Sequence, residues 1–340
     1  MNIKDALNAV LNNTDLTHAQ MQAVMEQIMT GQCSDAQIGG FLVGLRAKGE
    51  TVDEIAGAAA VMRKLATPVE VNADHLVDIV GTGGDSAGTF NVSTASTFVA
   101  AAAGATVAKH GNRSVSSKSG SADLLEAAGV NLGISADQVK QCIEQVGVGF
   151  MFAVNHHAAM KYAIGPRREL GARTVFNLLG PLTNPASVPN LLLGVFSRDW
   201  LKPVAEVMRE LGASHVLVVH SADGLDEISI AAETWVAELK DGEITEYQIA
   251  PEDFGLQRSS LEPLKVADAQ QSLAMVNTAL SQADHPAAHI VALNAGAALY
   301  AAKVVGSLQQ GVALALDTIN SGEALNKLNQ LATLSSQMAE

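Results

Sequence analysis

Val77-Asp78-Ile79-Val80-Gly81-Thr82-Gly83-Gly84-Asp85 decides the reading of this chain. A short apolar strand runs straight into a glycine-rich turn. Asn91-Val92-Ser93-Thr94 then opens an apolar helix through Ala103, and a second strand, Thr106 to Lys109, follows. Strand, turn, helix and strand in that order begin a parallel α/β series. The series continues with a helix at Ala122–Ala128, a helix capped by Ser135, strands at Val148–Val154 and Leu191–Phe196, a helix at Trp200–Leu211 and a strand at His215–His220. Asp241-Gly242 between Trp235–Leu239 and Glu243–Ile249 marks a hairpin. The fold class expected is α/β, with a mixed, largely parallel central sheet covered by helices.

Upstream of the first strand the pattern is helical only. Thr17 with Gln20, Ser34 with Gln37 and Thr51 with Glu54 are capping-box starts, each followed by apolar residues at helical spacing. These helices imply a small N-terminal helical domain over residues 1–72, followed by an α/β domain over residues 73–340. A Pro- and Gly-containing stretch around residues 165–190 reads as a hinge or crossing segment packed on the helical domain. A length of 340 residues fits two domains better than one core.

Composition narrows the function. With 35 acidic against 21 basic residues, the net charge is −14, which argues against nonspecific binding to nucleic acid or anionic membranes. Two cysteines, Cys33 and Cys142, make neither a disulfide framework nor a zinc site. The first residues lack an apolar signal core, and the run Phe98–Ala108 falls short of the roughly 20 residues that span a bilayer. A cytoplasmic location is the expectation.

Within this acidic chain, Ser86 to Ser121 holds no Asp or Glu but keeps Lys109, Arg113 and Lys118. Glycines admit backbone N–H groups close to a phosphate, a helix start adds its own N–H groups and dipole, and cations complete an anion pocket. Ser86 stands where a dinucleotide fingerprint needs its third glycine, and no Gly-Lys-Ser/Thr follows, so the loop is neither of those motifs. Each piece also has a plain structural reading: a generic turn, an N-cap, a solvated basic loop. Asp226-Glu227 reads either as a Mg²⁺ pair at a strand end or as surface acids in a turn. Arg167 and Arg168 read either as a receptor for a planar carboxylate or as a surface basic pair. His156-His157 is no metal site, because adjacent side chains diverge and no third ligand is placed.

Taken together these segments resemble the anthranilate phosphoribosyltransferases, relatives of the pyrimidine nucleoside phosphorylases. The resemblance rests on Gly81–Asp85, Asn91–Thr94, Lys109-His110-Gly111-Asn112-Arg113, Ser121-Ala122-Asp123-Leu124-Leu125-Glu126, Arg173 to Pro185, and Asp226-Glu227, and it covers nearly the whole chain. It implies transfer of the phosphoribosyl group of 5-phosphoribosyl 1-pyrophosphate to the amine of anthranilate, with Mg²⁺, in a cleft between the two domains. It assigns Gly81, Gly84, Asp85, Thr89, Asn91, Val92, Ser93, Thr94, Lys109, His110, Gly111, Asn112, Arg113, Ser114, Val115, Ser116, Ser117 and Ser121 to phosphoribosyl pyrophosphate. Gly81, Asn112, His157 and Arg167 fall to anthranilate, and Ser93, Asp226 and Glu227 to the metal. His110 is a candidate proton acceptor, with no essential acid or base assigned. A homodimer through the N-terminal helices is implied as well. The alternatives are a pyrimidine nucleoside phosphorylase-like enzyme and a non-catalytic nucleic-acid-binding relative.

Overall fold

The computed structural model describes residues 1–85, 87–114 and 118–338. Four helices come first: α1 (Ile3–Leu11), α2 (His18–Met29), α3 (Asp35–Lys48) and α4 (Val52–Leu65). The capping boxes at Thr17, Ser34 and Thr51 are all formed. Glu54 does more than close its box. It is fully buried, accepts from the Leu16 and Thr51 N–H groups, and pairs with Lys48 at 3.0 Å. Met21, Met25, Ile28, Phe41, Leu42, Leu45 and Ile55 fill the core of this bundle.

The alternating region follows: β1 (Leu76–Gly81), α5 (Val92–Ala102), β2 (Thr106–Gly111), α6 (Ser121–Ala127), α7 (Ala136–Val146), β3 (Val148–Phe152), α8 (Ala153–His156), α9 (Lys161–Leu170), α10 (Phe176–Leu182), β4 (Asn190–Gly194), α11 (Leu201–Glu210), β5 (His215–Ser221), β6 (Thr234–Lys240) and β7 (Glu243–Ile249). The seven strands lie in the order β3-β2-β1-β4-β5-β6-β7. β1 to β5 are parallel, and β6 and β7 are antiparallel. Asp241 and Gly242 both take positive φ, 52° and 82°, as a tight hairpin turn requires. Four helices close the chain: α12 (Ala269–Ala279), α13 (Pro286–Ala301), α14 (Leu308–Ser321) and α15 (Glu323–Gln337). α13 is buried on nearly every side, between α5 and α14.

Several strand ends differ from the sequence reading. β2 runs on to Gly111, β4 stops at Gly194 rather than Phe196, and β3 stops at Phe152, where the chain turns into α8 and leaves His156 and His157 at its end. The bundle meets the sheet region through several contacts. α9 packs on α2 and α3, and α10 on α4. Arg63 on α4 is half-buried and donates to the carbonyls of Leu182 and Leu211 at the ends of α10 and α11. Thr67 N–H donates to His156 O at 2.8 Å, and Val69 N–H to Pro185 O at 3.2 Å.

The strand order locates the functional edge. From β1 the chain builds outward through β2 to β3 on one side, then returns to place β4 on the other. The strand order therefore reverses between β1 and β4, and ligands of open α/β sheets bind in the crevice at the C-terminal ends of such strands.

Candidate active site

Gly81 and Gly194 end β1 and β4 in register with each other. Their glycines make room for a third chain segment. A Cβ on Gly194 would stand 1.5 Å from the Asp226 carbonyl oxygen, and one on Gly81 would stand 2.4 Å from Asp226 Oδ2. Asp226 therefore sits in the switch-point crevice. Its Oδ2 accepts from the Gly83 N–H at 2.6 Å, and Glu227 Oε1 accepts from the Ser93 N–H at 3.0 Å. The glycine loop, the N-terminus of α5 and the two acids meet at one place.

These acids are not the surface pair that one sequence reading allowed. Asp226 is buried and Glu227 half-buried. Burial, with the negative charge of Asp85 beside it, pushes Asp226 up to about 7. Burial and the charges of Asp226 and Asp85 raise Glu227 well above the usual carboxylate range, and burial raises Asp85 too. The dipeptide's backbone is pinned from both sides. Ser221 Oγ donates to Glu227 O, and Ile228 exchanges hydrogen bonds with the Asn294 amide on α13, both at 2.9 Å. Buried Asp226 and half-buried Glu227 form a hard oxygen donor set that fits Mg²⁺. Among the described residues no three His, Cys, Asp or Glu side chains form a complete metal cage.

The α5 start is not a plain N-cap. Asn91 makes no side-chain cap bond. Its amide instead accepts from Ser119 Oγ at 2.8 Å and Ser272 Oγ at 2.7 Å, and donates to Ser119 O. Asn91 thus ties the helix start to the loop after β2 and to α12. Val92 is buried, Thr94 Oγ1 is buried without a partner, and Thr89 bridges Lys265.

The loop after β2 is held by acids that flank it in sequence. Asp123 Oδ2 accepts from the Ser114 and Gly120 N–H groups at 3.1 and 2.9 Å. Asp123 and Glu126 also hold the Arg113 guanidinium, at 3.0 and 2.8 Å. The acid-free stretch is therefore not acid-free in space, and Arg113 is engaged by carboxylates. Ser121 Oγ donates to Asn112 O, and Gly111 packs against Ser121. Val115, Ser116 and Ser117, expected at the phosphate, lie outside the described residues.

Lys109 points inward rather than standing in a solvated loop. It is buried, its Nζ donates to Ile79 O at 2.5 Å, and burial lowers its pKa against the opposing pull of Asp78 and Glu227. Asp78 is fully buried, accepts from Asn184 Nδ2 at 2.7 Å and from the His110 N–H at 3.3 Å, and is pushed up to about 6 by burial.

His110 and His157 meet edge to face, with ring centroids 5.1 Å apart. Both are buried, and the Nε2 atom of each has no partner. Burial pushes His157 down to about 4 and His110 well below 6.5, against backbone bonds to Thr183 and Gly180 that pull the other way. Both rings are neutral at pH 7. His156 instead bonds Thr67 O through Nδ1. Arg167 on α9 stacks 5.0 Å over Phe176 on α10 and is half-buried, whereas Arg168 is exposed. Ser272 and Gly194 escaped the sequence reading, while Ser119, Asp123 and Asn184 entered it only as members of a loop or motif, with no role of their own. Arg173 was quoted only as part of a motif, yet it donates to Gly84 O and stacks 4.4 Å over Phe196.

A helical bundle joined to a mixed sheet, with a glycine loop, a helix start and two acids meeting at its switch point, is the arrangement of a transferase of the glycosyl transferase family. Residues 4–66 match the description "Glycosyl transferase family, helical bundle domain", and residues 73–325 match "Glycosyl transferase family, a/b domain". The chain is 62% identical to the anthranilate phosphoribosyltransferase of Thioalkalivibrio sulfidiphilus and 60% identical to that of Ectopseudomonas mendocina, covering 98% of this chain in each case and 98% and 97% of those proteins. The crystal structure of the Thermus thermophilus enzyme of that name superposes with a TM-score of 0.92 at 45% identity, covering 98% of this chain and 99% of that one. The Saccharomyces cerevisiae enzyme, in complex with phosphoribosyl pyrophosphate and Mg, gives 0.89 at 25% identity over 98% of each chain. The chain belongs to the anthranilate phosphoribosyltransferase family.

Proposed function

We propose that this chain transfers the phosphoribosyl group of 5-phosphoribosyl 1-pyrophosphate to the amine of anthranilate, releasing pyrophosphate, in a Mg²⁺-dependent reaction. The carrying observation is the meeting of the Gly83 and Ser93 N–H groups with Asp226 and Glu227 at the switch point. Phosphoribosyl pyrophosphate falls to Gly81, Gly84, Asp85, Thr89, Asn91 to Thr94, Lys109 to Ser117 and Ser121. Asn91 and Asp123 support that cradle by bracing its parts. Gly81, Asn112, His157 and Arg167 are assigned to anthranilate, and Ser93, Asp226 and Glu227 to Mg²⁺. Mg²⁺ bound there would neutralise charge on the departing pyrophosphate.

An arylamine is neutral at pH 7, so no base precedes attack. The chain's task is alignment of two substrates, which a preorganised cleft supplies. Half-buried Arg167 offers a bidentate partner for the substrate carboxylate. His110 Nε2 and His157 Nε2, buried and unpartnered, offer neutral acceptors for an amine proton. We assign neither as an essential base.

The chain divides best into a helical domain over residues 1–72 and an α/β domain over residues 73–340, with the segment around residues 165–190 crossing between them. Leu11 and Val43, exposed on the bundle, favour a homodimer through the N-terminal helices. A cytoplasmic location suits the metabolite substrates, and no described helix is long and apolar enough to cross a membrane. The decisive experiment follows anthranilate fluorescence with phosphoribosyl pyrophosphate, with and without Mg²⁺. Thymidine phosphorolysis in place of anthranilate consumption would move the chain to the nucleoside phosphorylase reading.

A further inference from the structure

We propose that Asp226 and Glu227 act as internal stand-ins for phosphate: their carboxyl groups occupy the Gly83 and Ser93 N–H groups, donors within the glycine loop and the helix start assigned above to the substrate phosphates. This inference rests on the phosphoribosyl pyrophosphate reading of the site. Gly83 N–H, in the glycine loop, donates to Asp226 Oδ2 at 2.6 Å. Ser93 N–H, in the first turn of the eleven-residue α5, donates to Glu227 Oε1 at 3.0 Å. Free N–H groups at a helix start and in a glycine turn are anion receptors. Here the anion is already supplied by the chain.

The backbone around the two acids is fixed. Ser221 Oγ holds Glu227 O, and the Asn294 amide holds Ile228 through both its N–H and its carbonyl. Gly81 and Gly194 enclose Asp226 on the sheet side. Asp226 is buried and Glu227 half-buried, so Glu227 is the more accessible of the two. A phosphate entering alone must break the Ser93–Glu227 hydrogen bond and then face the displaced acid at close range. A divalent cation arriving with the phosphate gives the carboxylates a new partner and frees both N–H groups together. The two acids then serve a second role beside metal binding. They keep the cradle closed to bare phosphates and couple its opening to the metal.

The test is binding of inorganic pyrophosphate by calorimetry, with Mg²⁺ and in EDTA, to the wild-type chain, Glu227→Ala and Glu227→Gln. Wild type should bind well with Mg²⁺ and poorly in EDTA. Glu227→Ala vacates the Ser93 N–H, so its metal-free affinity should rise about ten- to a hundredfold, the weight of one charge-assisted hydrogen bond. Glu227→Gln keeps an oxygen acceptor on that N–H without the charge, and its gain should be clearly smaller than that of Glu227→Ala. The ¹⁵N–¹H resonance of Ser93 should move on pyrophosphate addition in EDTA for Glu227→Ala and stay still for wild type. Equal gains in both variants would show that charge repulsion alone excludes phosphate, and unchanged metal-free binding in Glu227→Ala would show that the N–H was never contested. Either overturns the proposal. Absence of pyrophosphate binding to wild type even with Mg²⁺ would instead sink the substrate reading beneath it.

Discussion

Replacing Arg167 by Ala should weaken anthranilate and spare phosphoribosyl pyrophosphate. The side chain is half-buried and stacked 5.0 Å over Phe176, and burial lowers its pKa. Every arginine–carboxylate ion pair among the described residues belongs to Arg113 or Arg258, so Arg167 holds a partly desolvated charge that meets the Phe176 ring but no carboxylate among those residues. An arriving carboxylate supplies that partner. Losing such a charge-assisted pair costs about 2–4 kcal/mol, or roughly 30- to 1000-fold in affinity. The KM for anthranilate should rise by that factor, while the KM for phosphoribosyl pyrophosphate, held by groups spread between Gly81 and Ser121, should change by less than about threefold. Arg167→Lys should fall between, since an ammonium keeps the charge but neither the planar fork nor the ring stacking. Arg168 is exposed and points about 100° away around the helix, so Arg168→Ala should be nearly silent. Initial rates from fluorescence, with each substrate varied in turn, read all three variants. Equal losses for both substrates in Arg167→Ala would assign the residue to a phosphate or to the crossing segment. A larger effect at Arg168 would move the contact by one position.

Three further outcomes follow from the geometry. His157 is buried and neutral, with its pKa lowered to about 4, so its contribution to stability is fully present above its ordinary 6.5 and is lost as pH falls toward 4. Between about pH 7.5 and pH 5 this amounts to about 2 kcal/mol, and urea midpoints of His157→Gln should show a correspondingly flatter pH dependence than wild type. Gly194→Ala would drive a methyl group into the pinned Asp226 carbonyl, and should destabilise by about 3 kcal/mol and abolish Mg²⁺-dependent turnover; a soluble variant of wild-type Tm and activity would refute that packing. Leu11→Asp with Val43→Asp should convert a dimer to monomers in sedimentation at micromolar concentration, because both side chains are exposed on the bundle, whereas a wild-type monomer removes the dimer altogether.

Local signals determined most of the architecture. Capping boxes at Thr17, Ser34 and Thr51 and apolar runs bounded by glycine are short-range features, and all three boxes are formed. The hairpin at Asp241-Gly242 is equally local, since two positive φ values are inexpensive for that pair. The candidate site was legible as a set of segments, because a phosphate cradle needs glycines, a helix start and cleared acids, and these are visible as composition. Tertiary structure alone decided how the segments face one another. Strand order is set by which hydrophobic edges pair, so nothing local placed β1 beside β4 and made Gly81 and Gly194 a slot for Asp226. Burial is likewise a property of the whole packing. It drew a turn dipeptide, buried Asp226 and half-buried Glu227, into an acid pair with raised pKa values, and sent Lys109 inward beside Asp78. Arg113, free by its sequence neighbourhood, is held by Asp123 and Glu126, because a helix start folds back over the loop that precedes it.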